Sequence, residues 1–297
     1  MAIQTATTGQ LENAQRTVIE QTRFTEEHSA PCINIVEKMQ LKKGEKTITS
    51  PKVGQMTAAN LVDGVDMTAS EDVGMTTTDL TTSEVGLKVI LTDKLVRQEN
   101  EDMFRIVGRQ MGDAMARKKD RDIIALFTAL NGGTTFGAAG AALTLNNLSA
   151  CIARGKTAKF PAPVSIVHHP TAIFDVVTSA TLVGAQLVAA STSASNAIPH
   201  GFSEDLLSDF YKFMVNQVTV FEDGNIDADA LDDAIGAIFS KDALAYVESV
   251  GFNTERERDA SLRATELVVT SDYGVFEIDD AHGAPLTYDV TAPSTSA

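Results

Sequence analysis

Residues 100–130, NEDMFRIVGRQMGDAMARKKDRDIIALFTAL, read as one continuous helix of unusual length. The stretch carries no proline, its charges are interspersed, and Asn131, Gly132 and Gly133 follow it as a stop signal. At a rise of ~1.5 Å per residue such a helix spans ~45 Å, several times the common three-turn helix. Phe104, Val107, Met111, Ala114 and Met115 recur at helical spacing and mark one buried stripe. Gly108 and Gly112, one turn apart, leave a flat strip where another backbone can approach. Arg117, Lys118, Lys119 and Arg121 make the second half basic, with Asp113, Asp120 and Asp122 set among them. A strut of this kind suits a flat, stiff tile better than a compact core.

Upstream, Asp93 and the pair Glu101 and Asp102 place negative charge where a helix start favours it. Residues 85–91 alternate as a strand. Residues 67–83 are dominated by Thr, Asp and Met, with no apolar block to bury. With a turn at Lys42–Glu45 and a strand at Thr47, Ile48 and Thr49, they predict a long two-stranded hairpin projecting from the body. An isolated hairpin is marginal in water, so it is expected to lean on a partner. Residues 1–30 are polar, with a thin stripe at Leu11, Ala14, Val18 and Ile19; they are either disordered or an arm that packs elsewhere. Pro31 opens a short apolar run over 32–36.

Downstream, 132–142 is a Gly/Ala loop and an expected boundary. Helices are predicted at 148–154, at 171–183 behind Pro170, and at 204–213, with a loop at 191–200. Strands are predicted at 164–167, 217–221, 235–239 and 244–247, the last two around a turn at Ser240, Lys241 and Asp242. The closing segment reads as a charged stretch over 255–263, a strand at 266–270, a turn at Ser271 and Asp272, a strand at 274–278, and a polar tail after Tyr288.

The 297 residues, 43% of them hydrophobic, allow two domains and a sizeable core. Asp and Glu number 40 against 24 Lys and Arg, a formal charge of -16. That balance argues against an outer surface built to hold nucleic acid. The run 180–190, broken by Gln186, is too short to cross a bilayer, and the first residues lack the basic and apolar regions of a signal peptide. Cys32 and Cys151 make no disulfide framework and read as small buried residues. The chain reads as soluble and made in a reducing cytoplasm.

Candidate chemistry is thin. His168 and His169 beside Asp175 suggest a metal site, but adjacent strand residues point to opposite faces and no further ligand converges. The plainer reading is a strand end before a proline-started helix. Cys151 lacks an oxyanion motif or orienting partner. Asp223, Asn225, Asp227 and Asp229 alternate like a calcium loop but lack its central glycine and closing glutamate. A solvated acidic loop with an Asp cap before a short helix is the expectation. The Gly-rich stretch 131–140 lacks the Gly-Lys-Ser/Thr of a phosphate loop. Glu255, Arg256, Glu257, Arg258 and Asp259 alternate in sign, as a solvated face does. No catalytic residue, cofactor or metal is assigned.

The order of segments resembles the major capsid proteins of tailed bacteriophages, which share the Hong Kong phage coat-protein fold. Leu91-Thr92-Asp93-Lys94-Leu95-Val96 and Ala114-Met115-Ala116-Arg117-Lys118-Lys119-Asp120 are similar to the start and second half of that family's spine helix. Ile166-Val167-His168-His169-Pro170 resembles the strand-to-helix corner of its axial domain, and Phe239-Ser240-Lys241-Asp242-Ala243-Leu244 its late turn. Arg263-Ala264-Thr265-Glu266-Leu267-Val268-Val269 and Tyr273-Gly274-Val275 resemble its peripheral-domain strands.

The resemblance implies an α+β phage capsid fold. It divides the chain into an N-terminal arm (1–41), an extended hairpin loop (42–86), a peripheral domain (87–142 and 247–297, with the spine helix at about 100–130) and an axial domain (143–246). It implies a structural subunit, not an enzyme, assembling as hexamers and pentamers into an icosahedral shell around double-stranded DNA. The expected location is the virion capsid, assembled in the host cytoplasm, without a membrane. Portal and scaffolding proteins, and a cement or decoration protein, are the expected partners. Arg117, Lys118, Lys119, Arg121, Glu255, Arg256 and Arg258 are the expected intersubunit contacts. Some members cross-link a loop lysine to a neighbour's asparagine; Lys42, Lys43, Lys46 and Lys52 are present, but Asn253 stands in no recognisable context, so no cross-link is expected. The alternatives are an encapsulin-like nanocompartment shell or, from another class, a metal-dependent hydrolase.

Overall fold

The computed structural model describes residues 32–293, apart from 43, 54, 55, 57, 59, 62, 65, 67–69, 71–73, 99–102 and 190–210. Most of the expected arm, the loop at 191–200 and the larger part of the helix at 204–213 therefore lie outside the described residues.

The long helix is present but shorter than the sequence indicates. Helix α1 (Asp93–Gln98) begins at Asp93, and helix α2 (Met103–Leu126) has 24 residues, or ~36 Å. Residues 100–102, with the acidic pair Glu101 and Asp102, lie outside the described residues. Helix α2 stops at Leu126 because the Phe127 N–H donates to the Ile124 carbonyl and the Ala129 N–H to that of Leu126, tightening the last turn. Asn131 (φ 56), Gly132 (φ 58) and Gly133 (φ 75) then take the left-handed backbone that turns the chain away. The α2 stripe runs in four-residue steps through Val107, Met111, Met115, Ile123 and Phe127. Met111 and Met115 pack on Val269, Leu267, Val85, Leu87 and Val89, while Ile123 and Phe127 enter the main core. The side chain of Phe104 lies outside the described residues.

The sheet under α2 has four strands: β1 (Glu37–Gln40), β4 (Ser83–Thr92), β10 (Leu244–Asp259) and β11 (Ala264–Glu277), in the order β1-β10-β11-β4. The expected turn at Ser271 and Asp272 is absent, and β11 runs through it. The irregularity sits on the facing strand instead, where β10 shifts register between Glu248 and Asn253 and the Ser271 hydroxyl donates to the Val250 carbonyl at 3.3 Å. The charged stretch from Glu255 is the far half of β10, and the chain turns at Asp259–Arg263, where Arg263 has φ 49.

Strands β2 (Thr47–Lys52) and β3 (Thr76–Thr81) pair antiparallel as the expected hairpin, while 67–69 and 71–73 of the 67–83 stretch lie outside the described residues. Its base is better anchored than composition suggests. Leu80 is fully buried against Leu41, Ala245 and Val247, and the Lys52 ammonium lies 2.5 Å from an Asp279 oxygen.

The second sheet has six strands: β5 (Phe136–Gly137), β6 (Val164–His168), β7 (Tyr211–Val215), β8 (Val218–Glu222), β9 (Asp233–Ser240) and β12 (Gly283–Asp289), in the order β5-β12-β9-β6-β8-β7. Helix α3 (Leu145–Thr157), capped by the Thr144 side chain, and helix α4 (Pro170–Ala189) accompany it. Tyr211 to Phe213, expected in a helix, form a strand. Asn216 (φ 49) and Gln217 (φ 70) make the two-residue turn whose twist suits the β7–β8 hairpin.

Strand pairing crosses the expected division of the chain. Within the expected Gly/Ala loop at 132–142, Phe136 and Gly137 pair with β12. Residues 283–289 do not stay with the helix's sheet. Ala284, Leu286 and Tyr288 alternate as buried residues, and β12 pairs along the whole of β9, with Gly283 opposite Phe239. One continuous core joins the two sheets, from Val36 and Phe127 to Phe239, Tyr246, Tyr273 and Tyr288.

Candidate functional site: the long helix, its buried junction and the charged ribbon

Halfway along α2, one turn after the Met115 contact, the buried stripe turns polar. Lys119 continues the stripe at the four-residue step, and its side chain is only 13% exposed. Its ammonium lies 3.2 Å from Glu248 Oε1 and 5.6 and 5.2 Å from the ring centres of Tyr246 and Tyr273. These two rings stack at 5.7 Å. The Tyr273 hydroxyl donates to Asp122 at 2.7 Å and the Tyr246 hydroxyl to Glu248 at 3.1 Å. Burial first, then the adjoining carboxylates, push both phenols up, so they remain neutral donors.

The remaining basic residues are used close to home. Lys118 pairs with Asp122 one turn on, and Arg121 reaches Asp227 at 2.9 Å. Arg117 is half-buried on the same helix. Of the acidic residues set among this cluster, Asp122 pairs with Lys118 and Asp120 turns inward. Gly108 and Gly112 face open space where a side chain would begin.

Asp120 is fully buried and meets Cys32, Asp223 and Asn225. The Cys32 N–H donates to Asp120 Oδ1 at 3.0 Å and its thiol to Asp223 Oδ2 at 3.3 Å. Asn225 donates its side-chain amide to Asp120 Oδ2 at 2.9 Å and its backbone N–H to Asp223 Oδ1 at 2.8 Å. The two carboxyl groups are both buried and bring oxygens within 4.8 Å of each other, and two carboxylates so placed favour keeping one proton between them. Burial, then the neighbouring Asp223, push the Asp120 carboxyl up to about 8. Burial likewise pushes the Cys32 thiol well up. The thiol and the two carboxyl groups lie within 4.8 Å of one another, and each is hydrogen-bonded within the chain.

This geometry corrects the acidic-loop readings. Asp223 and Asn225 point inward, Asp227 is outside with Arg121, and Asp229 Oδ1 accepts the N–H groups of Leu231 at 2.8 Å and Asp233 at 2.9 Å. The side chains do not converge on a common point, so there is no calcium loop. Asp229 caps a turn rather than a helix, and half of the expected solvated loop is core. His168 is a buried structural residue: its Nδ1 accepts the His169 N–H at 2.9 Å, which leaves Nε2–H to donate to the Leu286 carbonyl at 3.2 Å. Burial pulls it down to about 4, so it is neutral. Cys151 is buried, as expected, against the Tyr288 hydroxyl at 3.1 Å.

On the ribbon formed by the far ends of β10 and β11, Arg258 grips Asp93 with two bonds, 3.0 and 2.8 Å, fastening the ribbon to the start of α1. Arg258, first by hydrogen bonding, holds the Asp93 carboxyl below its usual range. Asp259 accepts from the Ser261 N–H and hydroxyl and from the Leu262 N–H, closing the ribbon's turn. Glu255 and Arg256 are exposed on β10, and Asn253 donates to Glu255 at 3.4 Å. Because the Arg258 side chain is 61% exposed, Arg258→Ala is expected to shift the thermal midpoint by less than about 3 °C, and by less still in high salt. A larger shift that persists in high salt would contradict this.

Residues 74–284 match the family described as phage capsid protein. The chain belongs to the phage capsid protein family. No curated protein sequence matches it. Among solved structures it is similar to a capsid chain of the cyanophage P-SCSP1u, with a TM-score of 0.64, 14% identity, and 86% of this chain and 87% of that one covered. It is similar to a capsid chain of the Helicobacter pylori bacteriophage KHP30, with a TM-score of 0.68, 10% identity, and 90% and 93% covered. A chain of the SrpI encapsulin complex from Synechococcus elongatus is also similar, with a TM-score of 0.63, 12% identity, and 100% of both chains covered. At such identities the likeness concerns the fold, which is the α+β phage capsid fold. Within the phage capsid protein family the chain is a structural capsid subunit, and the long helix, the β2–β3 hairpin and the charged ribbon are parts of that subunit. Among the described residues no helix is long and apolar enough to cross a membrane.

Proposed function

We propose that this capsid subunit forms hexamers and pentamers that close into an icosahedral shell around double-stranded DNA. The observation that carries this reading is the hairpin. Beyond its paired base, Val53, Met56, Leu61 and Met75 are exposed apolar side chains. Such surface stands to be covered by a second copy. Helix α2 keeps the subunit stiff while that contact forms. The -16 net charge lets DNA be packed against the wall without adhering to it. Glu255 and Arg256 on the exposed ribbon, Arg117 on α2, and the parts of Lys118, Lys119, Arg121 and Arg258 that their internal pairs leave exposed would supply contacts between subunits. Scaffolding, portal and cement proteins would act on this framework, in the host cytoplasm.

Negative-stain microscopy of the purified chain, with and without co-expressed phage assembly proteins, tests the reading. Closed, uniform shells tens of nanometres across are expected, and a monodisperse monomer under every condition would overturn it. The likeness to an encapsulin favours a second reading, a shell loaded with protein. Assay of native particles for packaged DNA separates the two.

A further inference from the structure

The Asp120–Asp223 pair lies where three parts of the chain meet. Asp120 belongs to α2, Asp223 and Asn225 follow β8 of the six-stranded sheet, and Cys32 precedes β1 of the four-stranded one. We propose that the proton shared by Asp120 and Asp223 is a latch that fastens the Cys32 segment to the long helix, and that the latch weakens as pH rises. The latch lies within one chain and does not depend on the shell reading.

Two buried carboxylates with oxygens within 4.8 Å of each other cannot both be ionised without a large penalty. The charged and titratable groups around them are otherwise engaged. On α2, Arg121 pairs with Asp227, Lys119 with Glu248, Lys118 with Asp122, and Arg117 sits half-buried. On β8, Glu222 precedes Asp223 and has a partner of its own. On β6, His168 meets the loop only through its carbonyl, which accepts the Asp223 N–H at 3.0 Å. On β10 and β11, Tyr246 and Tyr273 face Glu248 and Asp122, and beyond Cys32 the β1 residue Glu37 pairs with Lys241. Besides burial, Asp223, Asn225 and Cys32 move the Asp120 carboxyl, and among the described residues no cation is one of its partners. The proton is what neutralises the pair.

The sign follows from linkage. When the junction opens, the Asp120 carboxyl meets water and ionises near the ordinary aspartate value, so opening releases a proton at any pH between about 4 and the closed-state value of about 8. The equilibrium for opening therefore rises about tenfold per pH unit across that window and levels off above it. His168 acts in the opposite sense. Its neutral, buried ring contributes stability that is lost as pH falls below the ordinary histidine value toward about 4, so it cannot produce an opening that grows as pH rises.

Hydrogen–deuterium exchange of the full-length chain, read at the amides of residues 32–36 from pH 5 to 9 and corrected for intrinsic exchange rates, tests the latch. Protection is expected to fall about tenfold per unit up to pH 7.5 and to flatten above 8. In Asp223→Asn the amide donates to the Asp120 carboxylate without a shared proton, so protection at pH 7.5 should persist and the slope vanish. A flat wild-type profile, or an unchanged slope in Asp223→Asn, overturns the proposal. Should that variant fail to fold, Asp120→Asn makes the same test. Infrared titration of the unmodified chain provides a third: a protonated-carboxyl band is expected at pH 7 that disappears as pH rises past 8, and its absence at pH 7 also overturns the latch.

Discussion

Replacing Phe127 by alanine is expected to lower the unfolding free energy of the subunit by about 3–5 kcal/mol. Phe127 is fully buried just beyond the end of α2, with its ring 5.5 Å from that of Phe239 on β9. It is the last step of the α2 stripe and belongs to the core that joins both sheets. Removing the ring forfeits its burial and leaves a cavity that the flanking Leu130 and Ile123, themselves buried, cannot close without moving α2. Against a total stability of about 5–15 kcal/mol for a typical domain, such a loss is a large fraction. Urea unfolding followed by circular dichroism measures it, and Phe127→Leu should cost less, about 1–1.5 kcal/mol. A change below about 1 kcal/mol for alanine would show that α2 and the six-stranded sheet are not fastened at this point.

How much of this was legible in the sequence differs from element to element, for physical reasons. The long helix, the hairpin and the strand pairs at 164–167 and 235–247 follow from periodicity and stop signals, which are local. Pairing is not local. Nothing within Gly283–Asp289 tells its alternation from that of a strand belonging to the helix's own sheet, and only its partner β9 decides the matter. Ser271 and Asp272 look like a turn because both residues favour one, yet the bulge on β10 absorbs the irregularity and β11 stays straight. The 211–213 stretch was drawn toward helix by its neighbours, whereas the Asn216–Gln217 turn sets a hairpin.

The buried junction was the least legible, since Asp120, Asp223 and Asn225 are residue types that ordinarily sit in water. A signal was present all the same. Counting the α2 stripe in fours from Met111 and Met115 leads through Lys119 to Ile123 and Phe127, so charge at that step and beside it stands on a buried face. Arg117, Lys118, Lys119 and Arg121 form one basic cluster in sequence but not in space. Their spacing separates Lys119, which is held under two tyrosines, from Lys118, which is more than half exposed.

Gly236→Ala is expected to cost about 3 kcal/mol or more, through a mechanism that ties a sequence oddity to the fold. Gly236 lies in β9 between β6 and β12. The buried His168 ring, carried by β6, donates to the Leu286 carbonyl on β12, so it must cross the strand between them. Only a residue without a side chain leaves room for that. A Cβ at position 236 would stand 2.5 Å from His168 Cδ2 and 2.3 Å from the Val167 carbonyl oxygen. The second contact is with backbone, so a rotamer change of His168 cannot relieve it alone, and the β6–β9 pairing must shift as well. Overpacking of this kind costs about 1–3 kcal/mol. A histidine driven off its acceptor adds about 1–3 kcal/mol for a buried donor left unmatched. Thermal and urea unfolding of Gly236→Ala, His168→Ala and the double variant resolve the two contributions. The double variant is expected to be less destabilised than the sum of the singles, because removing the ring removes one of the two clashes. Strict additivity would mean that the ring and the glycine are independent, and a Gly236→Ala cost below about 0.5 kcal/mol would mean that β9 yields freely where the sheet is packed most tightly.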